Sequence, residues 1–158
     1  MTQDKALRNH LVTLLKGEGA HVPVETALAD LAPELRGRRP KGADHSPWEL
    51  LEHMRIALWD ILEFMRNPEH VSPEFPSGYW PAHAAPAEAA AWEASVQELH
   101  QILAELRKLA GDESKDLHAR IPHGEGQTML RELLVAADHT AYHTGQLVLT
   151  RKLLGAWE

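Results

Sequence analysis

The chain has 158 residues, a formal net charge of −7 and a sequence pI of about 5.9. That length suits one domain spanning residues 1–158, with a core able to hide roughly 70% of the surface an unfolded chain exposes. The acidic balance argues against nucleic-acid binding, which needs a basic face to displace counterions. The absence of cysteine excludes a disulfide framework, a protein thiol nucleophile and a Cys-ligated metal.

Strand signals are almost absent, and helical patterns alternate with Pro and Gly punctuation. The N-terminal stretch is amphipathic without a continuous apolar run, so it does not read as a secretory signal. It predicts a helix over Asp4–Lys16 that stops at Gly17 and Gly19, followed by a shorter helical piece over Val24–Leu35. The basic cluster Arg36, Arg38, Arg39 and Lys41 reads as a solvated loop. Its alternative is a docking point for an anionic group, because guanidinium forks match carboxylates and phosphates.

Ser46-Pro47-Trp48-Glu49 is a capping box with proline at the first helical position. Leu51, Met54, Leu58, Ile61 and Met65 then recur at spacings of three and four, one apolar stripe that ends at Asn67-Pro68. Pro68, Pro73, Pro76 and Pro81 mark a long connection, which is expected to pack on the helices through Tyr79 and Trp80. A third long helix is predicted from Pro86 to Ala110 with Gly111 as its stop, and a fourth from Thr128 to Leu154. No stretch approaches the roughly 20 apolar residues of a membrane span. The pattern predicts an all-α fold: a four-helix bundle with one extra short helix near the N-terminus and a long crossover loop.

Eleven histidines make position the deciding question. On the fourth helix His139 and His143 are four residues apart, hence on one face. At about 100° per residue, Glu132, His139, His143, Gln146 and Thr150 form one narrow polar stripe. Val135, Tyr142 and Leu153 border it on one side, and Ala136, Leu147 and Leu154 on the other. A stripe so bordered points inward, where polar groups need partners. One metal ion satisfies two imidazoles at once. His53, in the middle of the second long helix with small Ala57 one turn on, is the expected third ligand. His100 is the runner-up, and His10 sits near a fraying end. His45, His70, His83, His118 and His123 fall in loops and read as surface residues. Three His ligands leave an open position, the pattern of a reactive site. Imidazole suits several ions, with zinc or nickel expected and iron possible. A di-iron carboxylate bundle is rejected, because the only Glu-x-x-His is Glu18–His21 in a glycine-flanked loop.

These residues also carry a family resemblance. Asp138-His139-Thr140-Ala141-Tyr142-His143-Thr144-Gly145-Gln146 resembles the last-helix signature of the DinB/YfiT-like superfamily. So do Glu52-His53 after His45-Ser46-Pro47-Trp48, and the closing Arg151–Trp157 run. The resemblance implies an up-down-down-up bundle with a three-His metal site on His53, His139 and His143. It also implies a metal-dependent enzyme, in some members a thiol-dependent S-transferase or isomerase, and often a homodimer.

Two functional readings follow. In the first, a divalent metal activates a low-molecular-weight thiol or water against a small-molecule substrate, a transferase or hydrolase type of chemistry in the cytoplasm. Tyr142 and Gln146 would then orient ligands or substrate, and Glu52 would fix an imidazole from behind. In the second, the protein is a non-catalytic metal-binding stress-response protein. Hydrogen-bonded core histidines without a metal are the plainer alternative to both.

Overall fold

The computed structural model describes residues 3–157, and these are helical apart from turns and one isolated bridge, Arg120 to Thr128. The helices are α1 (Gln3–Leu15), α2 (Val24–Leu28), α3 (Pro47–Arg66), α4 (Ala89–Gly111) and α5 (Met129–Leu153), with short 3-10 turns at Pro33–Leu35 and Ser77–Tyr79. None of the described helices is long and apolar enough to cross a membrane.

The helix starts follow local chemistry. The Ser46 hydroxyl accepts the Glu49 amide at 3.1 Å, and the Glu49 carboxylate accepts the Ser46 amide at 2.8 Å, so the capping box is complete. Thr128 caps α5 by accepting the Arg131 amide at 3.2 Å. The expected single piece over Val24–Leu35 is instead α2 and a separate turn. The α-helical run ends at Leu28: Ala29 is already extended (φ −64°, ψ 146°), and Asp30 then adopts a left-handed φ of 54°. Pro33 then disfavours helical backbone at Ala32. α4 begins at Ala89, three residues after the expected Pro86.

α3 packs against α4 and α5, and α1 packs against the same two from the other side, while α2 leans on α5. Leu11 and Leu15 of α1, Leu51, Met54 and Leu58 of α3, Leu99, Leu103 and Leu106 of α4, and Leu133 and Leu147 of α5 are fully buried. Each such side chain contributes about 2 kcal/mol of transfer free energy. Two buried arginines tie the ends together. Arg8 reaches from α1 to the carbonyls of Ala110, Asp112 and Lys115 at the end of α4. Arg151 donates to the carbonyls of Ala27 and Ala29 at the end of α2. In both cases a cation meets the negative end of a helix.

Of the basic cluster, Arg38, Arg39 and Lys41 are exposed, as a solvated loop requires, and Arg36 is half-buried. Arg36 pairs with Glu93 and lies 4.9 Å over the Trp92 ring, and Arg39 pairs with Glu49.

Candidate metal centre

His53 comes from the middle of α3, and His139 and His143 come from one face of the antiparallel neighbour α5. The sense of α5 follows from His123, in the loop just before it, which reaches the Phe64 carbonyl near the end of α3. The polar stripe of α5 does turn inward: Glu132, His143 and Thr150 are buried, and His139 and Gln146 are half-buried. The three imidazoles converge through their Nε2 atoms. His53 Nε2 lies 3.1 Å from His143 Nε2 and 3.1 Å from His139 Nε2. The ligand atoms of all three fall within 4.8 Å of one another, close enough to hold one ion. Two nitrogens bound tetrahedrally at about 2.0–2.1 Å from zinc stand roughly 3.3 Å apart, near the spacing seen here.

The other ring nitrogens decide where the protons are. His53 Nδ1 lies 2.9 Å from the Tyr79 carbonyl, which can only accept, so Nδ1 carries the proton. His143 Nδ1 lies 2.7 Å from Gln146 Oε1, while Gln146 turns its amide nitrogen to the Tyr142 hydroxyl at 3.4 Å. Its Nδ1 is therefore a donor too. Both rings, when neutral, present bare Nε2 lone pairs to each other at 3.1 Å. Such a contact is repulsive until a cation lies between them.

A proton is a poor choice of cation here. Burial, then the neighbouring His143 and His53, push His139 down to about 3. Burial and His53 push His143 down to about 4, against a small opposing pull from Gln146. Burial lowers His53 as well, partly offset by the Tyr79 carbonyl. His139 Nδ1 is enclosed without a hydrogen-bond partner. The donor set is thus three neutral imidazoles aimed at one point, a set that suits a borderline divalent metal.

Around the trio the structure rearranges several expected roles. Gln146 holds His143, as an orienting group should. Tyr142 is 63% exposed, yet its ring stands edge-on to His143 at 4.9 Å and its hydroxyl lies 3.4 Å from the Gln146 amide nitrogen. Glu52 does not back an imidazole. Its carboxylate is taken by Arg55, one turn on, and by Ser95 of α4. The Glu52–Arg55 spacing of three is the signal that foretells this pairing. The backing group for His53 is the Tyr79 carbonyl, which no side-chain pattern could announce.

Other histidines divide cleanly. His100 lies apart from the trio, in a cleft between α2 and α4 with Nε2 enclosed and unpartnered. His10, His83 and His118 are exposed. His45 and His70 are not simply surface residues. His45 stacks on Trp80 at 4.0 Å, and Trp80 also stacks on His53 at 4.0 Å with the rings 6° from parallel. His70 is almost enclosed and bonds to Asp60. The expected packing role of the crossover aromatics is met by Trp80, which lies against His53 itself. A cleft of about 180 Å³ adjoins this cluster, lined by Gly42, Ala43, Asp44, His45, Leu50, Gln146, Leu149 and Thr150. It shares His45 and Gln146 with the surroundings of the trio.

A family model described as the DinB superfamily matches residues 22–147, from just before α2 through most of α5, and takes in all three histidines. Helix α1 and the closing Arg151–Trp157 segment lie outside the match. No curated protein and no solved structure matches the chain. Over residues 22–147 of a helical chain that brings His53, His139 and His143 together, the sequence fits that family model, and the chain belongs to the DinB superfamily.

Proposed function

We propose that the chain holds one divalent transition metal ion on Nε2 of His53, His139 and His143, and uses it to act on a small molecule. The observation that carries this reading is the facing pair of unprotonated nitrogens at 3.1 Å, each fixed by a donor bond on the far side of its ring. Zinc and nickel suit the ligands best, and iron is possible. An ion on three imidazoles with an open position supplies Lewis acidity that brings the pKa of a bound water or thiol towards neutrality.

The chain's own residues bind and orient. The Tyr79 carbonyl and Gln146 set the tautomers of His53 and His143. Trp80 holds the plane of His53. The adjoining cleft, with Leu50 and Leu149 on its apolar side and Asp44, His45 and Thr150 on its polar side, offers room for a small substrate. Because the chain has no cysteine, a thiol in the reaction must arrive as a separate small molecule. A cytoplasmic setting, where small thiols stay reduced, suits that chemistry. Thiol-dependent transfer and hydrolysis are the two reaction types that fit.

A second reading, a non-catalytic metal-binding protein, draws on the hydrogen-bond partners of the trio. They are a backbone carbonyl and an amide, and neither is an acid or a base. The adjoining cleft favours the enzyme.

The up-down-down-up arrangement expected of the family is supported by paired contacts. Glu52 with Ser95 and Arg55 with Glu98 run in step along α3 and α4, as parallel helices do. A homodimer is supported by Leu134, Tyr142, Leu149 and Leu153, which are exposed along one side of α5.

The test is metal content per chain, measured by elemental mass spectrometry on untagged protein beside a His139→Ala/His143→Ala variant. The expected result is about one transition metal per chain, lost in the variant, with metal-dependent turnover in a screen of small thiols and electrophiles. Protein that takes up no zinc, nickel or iron(II) overturns the metal reading. Metal binding without any turnover favours the non-catalytic one.

A further inference from the structure

Asp60 lies seven residues after His53, nearly two full helical turns, and so on the same side of α3. Its largely enclosed carboxylate receives two bonds from the segment that follows the helix. His70 Nε2 lies 2.7 Å from Oδ1, and the Tyr79 hydroxyl donates to Oδ2 at 2.7 Å. A hydroxyl bound to an ionised carboxylate in a sheltered place is a charge-assisted anchor, stronger than a neutral pair. Tyr79 is consequently pinned at both ends. Its ring is tied to Asp60, and its backbone carbonyl accepts Nδ1–H of His53 at 2.9 Å. The next residue, Trp80, lies flat on the His53 ring. The crossover is therefore strung along α3 between an acid at one end and the metal-facing imidazole at the other.

We infer that Asp60 is a positioning residue for His53: by holding Tyr79 it keeps the Tyr79 carbonyl on Nδ1, and so keeps Nε2 bare and aimed at His139 and His143. This rests on the metal-binding reading above in so far as the bare nitrogen is meant for an ion. Asp60 has no contact with the three imidazoles and acts only through Tyr79. A residue that merely ties down a loop would change stability and leave the proton on His53 where it is.

Two variants separate these roles. Asp60→Asn keeps the shape and removes the charge. Tyr79→Phe removes the hydroxyl and keeps the backbone carbonyl. Zinc affinity is measured by competition with a chromogenic chelator, and the tautomer of His53 by long-range ¹⁵N NMR on metal-free protein, with circular dichroism as the check on folding. The expected result is a loss of zinc affinity of about tenfold or more in both variants. It is accompanied by a change of His53 from a single Nδ1–H tautomer to a mixture. Unchanged affinity overturns the inference, and so does weaker affinity with the tautomer intact. If Asp60→Asn fails to fold, Tyr79→Phe alone decides. If the unaltered protein binds no zinc, the metal reading falls, and the tautomer comparison on metal-free protein still decides whether Asp60 positions His53.

Discussion

His143 owes its bare nitrogen to Gln146, three residues on and therefore on the same helical face. Gln146→Leu removes the acceptor and frees the ring to change tautomer. The expected outcome is metal binding about 10–100-fold weaker with little change in helicity, read by chelator competition. Tyr79 makes a second prediction. Burial, reinforced by the bond to Asp60, raises its hydroxyl to about 12. The chain has only two tyrosines, so in a Tyr142→Phe variant the ultraviolet rise of tyrosinate reports Tyr79 alone. It is expected near pH 12, and a midpoint near the ordinary value of about 10 contradicts the buried bond. At this scale the sequence was readable where partners share a helix. His139 with His143, and Gln146 with His143, follow from spacing. It was unreadable where the partner is a loop carbonyl, because Tyr79 offers His53 nothing that its side chain would reveal.

At the scale of elements, α3 is the most legible piece, since its capping box is written in four consecutive residues. Ser46→Ala is expected to cost about 1 kcal/mol in a denaturation experiment, the usual worth of such a cap. Arg8 predicts a larger loss. Its guanidinium serves three carbonyls at the end of α4 and the Asp4 carboxylate, and it is buried. Arg8→Ala leaves those carbonyls unserved and is expected to destabilise the protein by about 3 kcal/mol. The bounds of α1, α4 and α5 fall within a few residues of the Gly and Pro punctuation. The shorter N-terminal piece reads as continuous because Ala29, a good helix former, gives no warning that its backbone turns extended there and left-handed at Asp30. The crossover is legible only as a segment that packs through Tyr79 and Trp80, not in where those residues land. It has no periodicity, and its order comes from Trp80 and Tyr79 meeting α3, contacts set by tertiary packing alone.

For the molecule as a whole, three sheltered imidazoles at one point set a dependence on acid. His139 and His143 remain neutral in the folded chain down to about 3 and about 4, whereas unfolded histidine titrates near 6.5. Between those values the unfolded chain binds protons that the folded chain refuses, so acid favours unfolding. Stability of the metal-free protein is expected to fall as pH drops below about 6.5. Through these two groups it stops falling once pH reaches their folded values. A His139→Asn/His143→Asn variant should flatten that part of the profile in thermal melts followed by circular dichroism. An ion that binds only the folded chain works in the opposite direction. At a hundredfold excess over its dissociation constant it adds about 2.7 kcal/mol, a rise in melting temperature of about 5–10 °C for a chain of this size.

The flat contact between Trp80 and His53 gives the protein an optical gauge of its own loading. An imidazole that gives its lone pair to a cation becomes electron-poor, and an indole stacked on it is well placed to lose its excited state to that ring. Tryptophan emission is therefore expected to dim as zinc, which absorbs no visible light itself, is titrated in. Trp80→Phe should abolish most of that response while the other four indoles continue to emit.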